Sequence, residues 1–412
     1  MNQAPGSSDR AIVGRQSVGT VFLVFLQLGL TSFGGPVAHL GYYREALVVR
    51  RRWLDERAYA DLVALCQFLP GPASSQIGMG IGIAKAGIPG AFAAWVGFTL
   101  PSALAMALFG YGVVAFGEAI PAGLLHGLKV VAVAVVAQAV WGMARTLCPD
   151  PLRASLAVLA CIAVLASPAP LFQLAAIAGG GVAGLVLLGG KSEASPASLG
   201  IEIGHGTALA ALALFALLLV GLPLLAAAFP AQGLALFDSF YRAGSLVFGG
   251  GHVVLPLLQS EVVPPGWVSD DIFLAGYGAA QAVPGPLFTF AAYLGTVAAP
   301  TPNGWLGAAI CLLAIFAPSF LLVIGALPFW EALRRYPPAQ HALQGVNAAV
   351  VGLLLAALYD PVWTRGILAP ADFALALAAF ALLALWKWPP WLVVALTAAG
   401  GWGLAALSAR IG

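Results

Sequence analysis

The chain has 412 residues, of which 61% are hydrophobic and only 8% are charged, with a formal net charge of +2. Soluble domains carry about 25% charged residues, so a soluble core is excluded, and so weak a charge gives no footprint for nucleic acid. What remains is an all-α polytopic membrane protein whose first partner is the lipid bilayer, with many stretches reaching the ~20 residues that cross its hydrocarbon core.

Residues 1–17 form a short polar segment, expected in the cytoplasm. The first apolar stretch, from Val18 into Gly34, has no small-residue cleavage site after a short apolar core, so it reads as a retained span rather than a signal peptide. It ends at Phe33-Gly34-Gly35. An arginine-rich loop with Trp53 follows, then two short apolar pieces, 61–69 and 73–85, on either side of Pro70-Gly71-Pro72. Spans are predicted over 91–110, 125–146, 153–168 and 170–188. A polar linker, 191–206, and one additional apolar span, 207–229, lead to Phe248-Gly249-Gly250. Short pieces 272–283 and 287–297 then flank Pro284-Gly285-Pro286, and spans are predicted over 305–328, 342–358, 371–387 and 390–407.

One phrase therefore occurs twice. FGG leads through a tryptophan, Trp53 or Trp267, to Gln67-Phe68-Leu69-Pro70-Gly71-Pro72 and to Gln281-Ala282-Val283-Pro284-Gly285-Pro286, at intervals of 37 and 36 residues. Leu100-Pro101-Ser102 matches Ala317-Pro318-Ser319, and Gly127-Leu128-Lys129-Val130 matches Gly345-Val346-Asn347-Ala348. The expected division is an N-terminal segment 1–17, a first repeat 18–190, a linker with an extra helix 191–236, and a second repeat 237–412.

Loop charge sets the orientation of these repeats. The loop after the first FGG carries Arg44, Arg50, Arg51, Arg52 and Arg57, whereas its counterpart carries Glu261, Asp270 and Asp271 and no Lys or Arg. The Glu118 loop is free of Lys and Arg and faces Arg334 and Arg335. Arg145 and Arg153 face a lone Arg365, and Lys387 has no cationic counterpart. By the positive-inside rule the repeats are inverted, with the extra span supplying the odd crossing. Each arm beside a PGP is too short to cross a bilayer, and Pro-Gly-Pro forces a reversal, so each PGP is expected at the tip of a re-entrant hairpin. FGG is either a second hairpin or a kink in one long span.

Broken helices offer free backbone N–H groups and a partial positive charge where each arm begins, at Ala73-Ser74-Ser75-Gln76 and at Leu287-Phe288-Thr289-Phe290, which suits an anion. The candidate substrate-binding residues are Gly34, Gly35, Gln67, Pro70, Gly71, Pro72, Ser74, Ser75, Gln76, Lys129, Gly249, Gly250, His252, Gln281, Pro284, Gly285, Pro286, Thr289 and Asn347. Plainer roles stand beside these: Lys129 as a snorkelling cation, Gln67 and Gln281 as hairpin-to-bundle hydrogen bonds, the PGP turns as kinks without a ligand. His39 and His252 each follow an FGG and titrate near neutrality, which suits either a coupling proton or a silent packed ring. Asp238 and Arg242 lie four apart and pair, or Arg242 guards an entry. Cys66, Cys148, Cys161 and Cys311 are scattered without metal or disulfide spacing, and no phosphate-loop, HExxH or GxSxG motif is present, so no cofactor, metal or enzyme chemistry is expected.

The doubled order of FGG, Trp and QxxPGP, with Phe33-Gly34-Gly35-Pro36 in one half and Phe248-Gly249-Gly250-Gly251-His252 in the other, resembles the chromate ion transporter family in its long two-domain form, over nearly the whole chain. That resemblance implies an inner-membrane, secondary-active exporter of chromate, a sulfate-like tetrahedral dianion, which confers chromate resistance. Sulfate or oxyanion uptake is the alternative within that class, and a non-transporting membrane sensor or scaffold the alternative outside it. The oligomeric state, homo-oligomer included, is left open.

Overall fold

The computed structural model describes residues 14–117, 119–167, 170–189, 203–334 and 336–411. Most of the N-terminal segment 1–17, most of the linker 191–206, and the loop charges Glu118 and Arg335 lie outside the described residues.

Helix α1 (Val18–Thr31) begins at Ser17, whose side chain accepts the Thr20 amide, and stops at Ser32. The chain then turns through Gly34 and Gly35, at φ +100° and +75°, values that glycine adopts without steric cost. It continues as α2 (Gly35–Tyr43), which runs on as a π-helix, Arg44–Arg50. The Phe25 and Tyr43 rings meet at 5.6 Å, whereas a straight helix would separate them by about 27 Å. The first FGG is therefore a reversal, not a kink.

Helix α3 (Glu56–Phe68) leads into Pro70-Gly71-Pro72 and α4 (Ala73–Phe116), which is broken at Ala86 and Gly87. Around that break the backbones of Gly82 and Gly90 touch, and a Cβ on either would strike the other's carbonyl. The first arm, 73–85, thus folds back on the second, 88–116, and lies with α3 in a short hairpin where Gly80 abuts Leu62. Helices α5 (Ala122–Leu147), α6 (Pro151–Ala166), α7 (Pro170–Leu187) and α8 (His205–Ala228) follow. In the loop before α6, Asp150 accepts the Arg153 amide and guanidinium, which hold its carboxyl below the usual carboxylate range.

The second half repeats the plan. Helix α9 (Gln232–Leu246), the second FGG, a 3-10 turn (Gly251–Val253) and α10 (Val254–Val262) make a reversal in which Arg242 reaches Glu261 at 2.9 Å. Helix α11 (Asp270–Ala280), the second PGP, a 3-10 turn (Leu287–Thr289) and α12 (Phe290–Val297) make the short hairpin. Helix α13 (Gly304–Ala326) folds back on α12 through a Gly295–Gly307 backbone contact, the partner of Gly82–Gly90. A short helix α14 (Trp330–Arg334), α15 (Pro337–Ala357) with its turn α16 (Thr364–Gly366), α17 (Pro370–Ala384) and α18 (Pro390–Ile411) complete the chain.

The halves exchange their last two helices. α6 and α7 pack on α15 of the second half, while α17 and α18 pack on α5 of the first. Glycine permits both close crossings, Gly180 and Gly184 against Gly345, and Gly123 and Gly127 against Gly401. The result is an all-α, multi-pass membrane fold. Among the described residues, six helices are long and apolar enough to cross a bilayer: Ala73–Phe116, Ala122–Leu147, His205–Ala228, Gly304–Phe329, Pro337–Gly366 and Pro390–Leu407. The stretches 153–168, 170–188 and 371–387 form helices of 16, 18 and 15 residues. These rise only about 22–27 Å, because prolines start all three and polar or Trp-Pro segments end two of them. Lipid-facing surface is supplied by exposed residues such as Leu209, Leu217, Val220 and Leu224 on α8.

Candidate functional site

Each PGP tip docks on the opposite half. The Gly71 amide donates to the Val247 carbonyl at 2.7 Å, and the Gly285 amide donates to the Ser32 carbonyl at 2.9 Å. Val247 and Ser32 are the residues immediately before the two FGG turns, where a terminating helix leaves carbonyls without intrahelical donors. Gly71 and Gly285 take φ +121° and +100° to make these bonds. Tip and helix end also meet the matched serines crosswise, since Gly71 lies against Ser319 and Gly285 against Ser102. His39 reinforces one contact: its Nε2 lies 3.2 Å from the same Ser32 carbonyl, with the ring edge-on to Phe98.

A cavity of about 450 Å³ opens where the first FGG meets the second PGP. Gly34 and Gly35 form one wall, and Gln281, Val283 and Gly285 form another. His252 from the second FGG, Gln138 from α5 and Lys387 from the loop between α17 and α18 complete its polar lining. Among the described residues no aspartate or glutamate lines it, and Lys387 is the one charged side chain that does. Lys387 is exposed and held at φ +55°, a left-handed conformation that a side chain adopts at a cost. His252 Nδ1 is 2.8 Å from the hydroxyl of fully buried Tyr277. The Gln138 amide donates to the Leu383 carbonyl at 3.4 Å, fixing α5 to the end of α17.

Of the sequence-predicted residues, the cavity gathers Gly34, Gly35, His252, Gln281 and Gly285, with Pro284 and Pro286 flanking the last. The Thr289 hydroxyl donates to the Pro286 carbonyl at 2.9 Å. The first tip lies elsewhere: Ser74, Ser75 and Gln76 are buried, and Gln76 Nε2 donates to the Pro70 carbonyl at 2.7 Å. Pro72 caps α4, and Gln67 is exposed outside the cavity. Lys129 pairs with Asp271 at 2.8 Å. Gly249 and Gly250 face Met143, with Leu147 and the Asn347 side chain also against Gly249. The amides of Gly71 and Gly285, two of the candidate residues at the tips, are thus engaged by the opposite half.

Other polar groups turn out to have partners. Glu261, read from sequence as a loop acid, belongs to α10 and shares Arg242 with Asp238, both carboxylates within 2.9 Å of the guanidinium. Trp53 carries the buried Lys85 ammonium 5.9 Å above its ring, and that ammonium also donates to the Gly14 carbonyl. In the arginine loop Arg44 pairs with Glu56, a hydrogen bond that raises the guanidinium pKa further, and Arg50 pairs with Glu45.

Broken, mutually docked helices around a polar cavity, inside an apolar bundle, define a class: an α-helical, multi-pass membrane transporter. Comparison with known proteins gives the family. The chromate transporter profile matches residues 19–185 and 234–402, and the chain belongs to the chromate transporter family. It is 29% identical to a chromate transport protein of Pseudomonas aeruginosa, over 97% of this chain and 96% of that one. It is 28% identical to a chromate transport protein of Cupriavidus metallidurans, over 82% and 80% of the two chains. A probable chromate transport protein of Synechococcus elongatus is 27% identical over 81% and 82%. No solved structure matches the chain.

Proposed function

We propose that this protein is a secondary-active exporter of chromate, with sulfate as a competing ligand, and that the oxyanion binds in the cavity between the first FGG and the second PGP. The observation that carries this reading is the lining: Lys387, His252, two glutamines and glycine backbone, with no carboxylate among the described residues to repel an anion. Small, uncharged donors suit a tetrahedral dianion because they supply hydrogen bonds without the desolvation cost of several buried cations. The names of the three relatives above support chromate as the cargo.

The proposed organisation is two inverted repeats, 18–190 and 237–412, joined by a linker and extra helix, 191–236, in a bacterial-type inner membrane. Arginine on one side of the first FGG hairpin, against acids on its counterpart, supports the inversion. In this reading the two PGP hairpins are re-entrant, being too short to span. At the pseudo-symmetric junction of the second FGG with the first PGP, Met143 and Leu147 lie against the glycine turn. Transport alternates which junction is open, through rocking of the halves about the reciprocal Gly71–Val247 and Gly285–Ser32 bonds. Export is favoured electrically, because expelling a dianion from a negative interior releases about 4.6 kcal/mol per 100 mV.

Everted membrane vesicles test the reading. Energised vesicles are expected to accumulate chromate, to be inhibited by sulfate, and to show a raised KM for chromate when Gln281 is replaced by alanine or Lys387 by glutamine. Chromate uptake equal to that of vesicles lacking the protein would overturn it.

A further inference from the structure

Two histidines follow the FGG turns, and their surroundings differ in one decisive respect. His39 is sealed, with Nε2 directed at the Ser32 carbonyl and the ring 1% exposed. His252 lines the cavity, and its only hydrogen bond among the described residues joins Nδ1 to the Tyr277 hydroxyl. Tyr277 is 0% exposed, and that hydroxyl has no other partner among the described residues. A phenol keeps its proton at physiological pH, and a buried O–H without an acceptor is disfavoured. The Tyr277 hydroxyl therefore donates to Nδ1, which must be the bare nitrogen of a neutral imidazole. The ring hydrogen is left on Nε2, the nitrogen not engaged by Tyr277, on a side chain that lines the cavity.

We propose that Tyr277 is a positioning residue that locks His252 in its Nε2–H tautomer, making the histidine a neutral hydrogen-bond donor to the oxyanion and not a proton carrier. Charging the ring would place a hydrogen on Nδ1 against the Tyr277 oxygen and strand the phenolic hydrogen. The neighbouring elements do nothing to offset this. From α11 the titratable group at the ring is Tyr277; the aspartates at the other end of that helix, Asp270 and Asp271, pair with Arg365 and Lys129, and the loop after α17 brings a like charge, Lys387. α5 contributes Gln138, and neither α15 nor the Leu287–Thr289 turn lines the cavity with a titratable side chain. A coupling proton, if transport uses one, is carried elsewhere. This inference rests on reading the cavity as the oxyanion site.

The test pairs a spectroscopic and a transport measurement. Nitrogen-15 spectra of the histidine-labelled, detergent-solubilised protein, assigned with His252→Gln, are expected to show one neutral Nε2–H ring throughout about pH 6 to 8. In everted vesicles with selenate, whose charge is constant over that range, His252→Gln keeps an N–H near the Nε2 position and is expected to retain transport within about threefold. His252→Asn and His252→Ala lack that donor, and their KM is expected to rise at least about tenfold. A His252 ring that titrates in that range, or that shows an Nδ1–H signal, would overturn the tautomer assignment whatever the transport result. Wild-type KM in His252→Ala would instead remove His252 from the binding site and leave the tautomer result standing.

Discussion

Replacing Gly285 by alanine tests the docking of the second tip. The residue sits at φ +100°, where a side chain costs about 1–3 kcal/mol of backbone strain. A Cβ there would stand 2.8 Å from Ser102 Oγ and 3.2 Å from the Phe98 carbonyl, so the tip or α4 must shift. That shift lengthens the 2.9 Å bond from the Gly285 amide to the Ser32 carbonyl, a loss of about 1 kcal/mol. Together these come to about 3 kcal/mol, roughly a hundredfold in rate if the docked tip is needed for turnover. Chromate accumulation in everted vesicles is the assay, normalised to the amount of protein in the membrane. Adding Ser102→Ala relieves the closest contact and is expected to recover part of the loss, because the strain at φ +100° remains. Gly112→Ala is the control, since nothing lies within 4 Å of its added carbon. Full transport by Gly285→Ala at normal abundance would refute the coupling of tip geometry to turnover.

Two further outcomes follow from particular side chains. Lys387→Gln is expected to raise the KM for chromate about three- to tenfold, a modest effect because the lysine is exposed, while Lys387→Arg stays near wild type. An unchanged KM in Lys387→Gln would remove this cation from the site. Arg242→Ala leaves the buried Asp238 and the partly buried Glu261 beside each other without their shared cation, a change expected to destabilise the protein by about 3 kcal/mol. Thermal unfolding in detergent measures it, and Arg242→Gln with Glu261→Gln is expected to be milder, because the first half makes the same reversal with Gln27 and Ala46. Equal stability of Arg242→Ala and wild type would show the cluster to be solvated.

Much of the backbone was legible in the chain. Proline and glycine restrict or free φ locally, so Pro70-Gly71-Pro72 and Pro284-Gly285-Pro286 announce turns wherever they fall. FGG was ambiguous because two glycines permit a kink and a reversal equally; the Phe25–Tyr43 contact that decides between them is a tertiary one. Partners across the halves were not legible. Nothing in the letters near Gly71 says that its amide meets Val247, and nothing near Lys387 links it to Gly34. Lys129 shows the converse, since a lysine in an apolar stretch is open to an anion role or to snorkelling until Asp271, far along the sequence, arrives beside it. Helix ends were over-extended at 153–168 and 371–387, where apolar composition continues past the proline and tryptophan punctuation that ends the helix.

The most direct measurement is a structure of the protein with selenate bound, locating the anion by the anomalous signal of selenium. The expected peak lies in the cavity bounded by Gly35, His252, Gln281 and Lys387. A peak at the first tip, among Ser74, Ser75 and Gln76, with that cavity empty, would contradict the account.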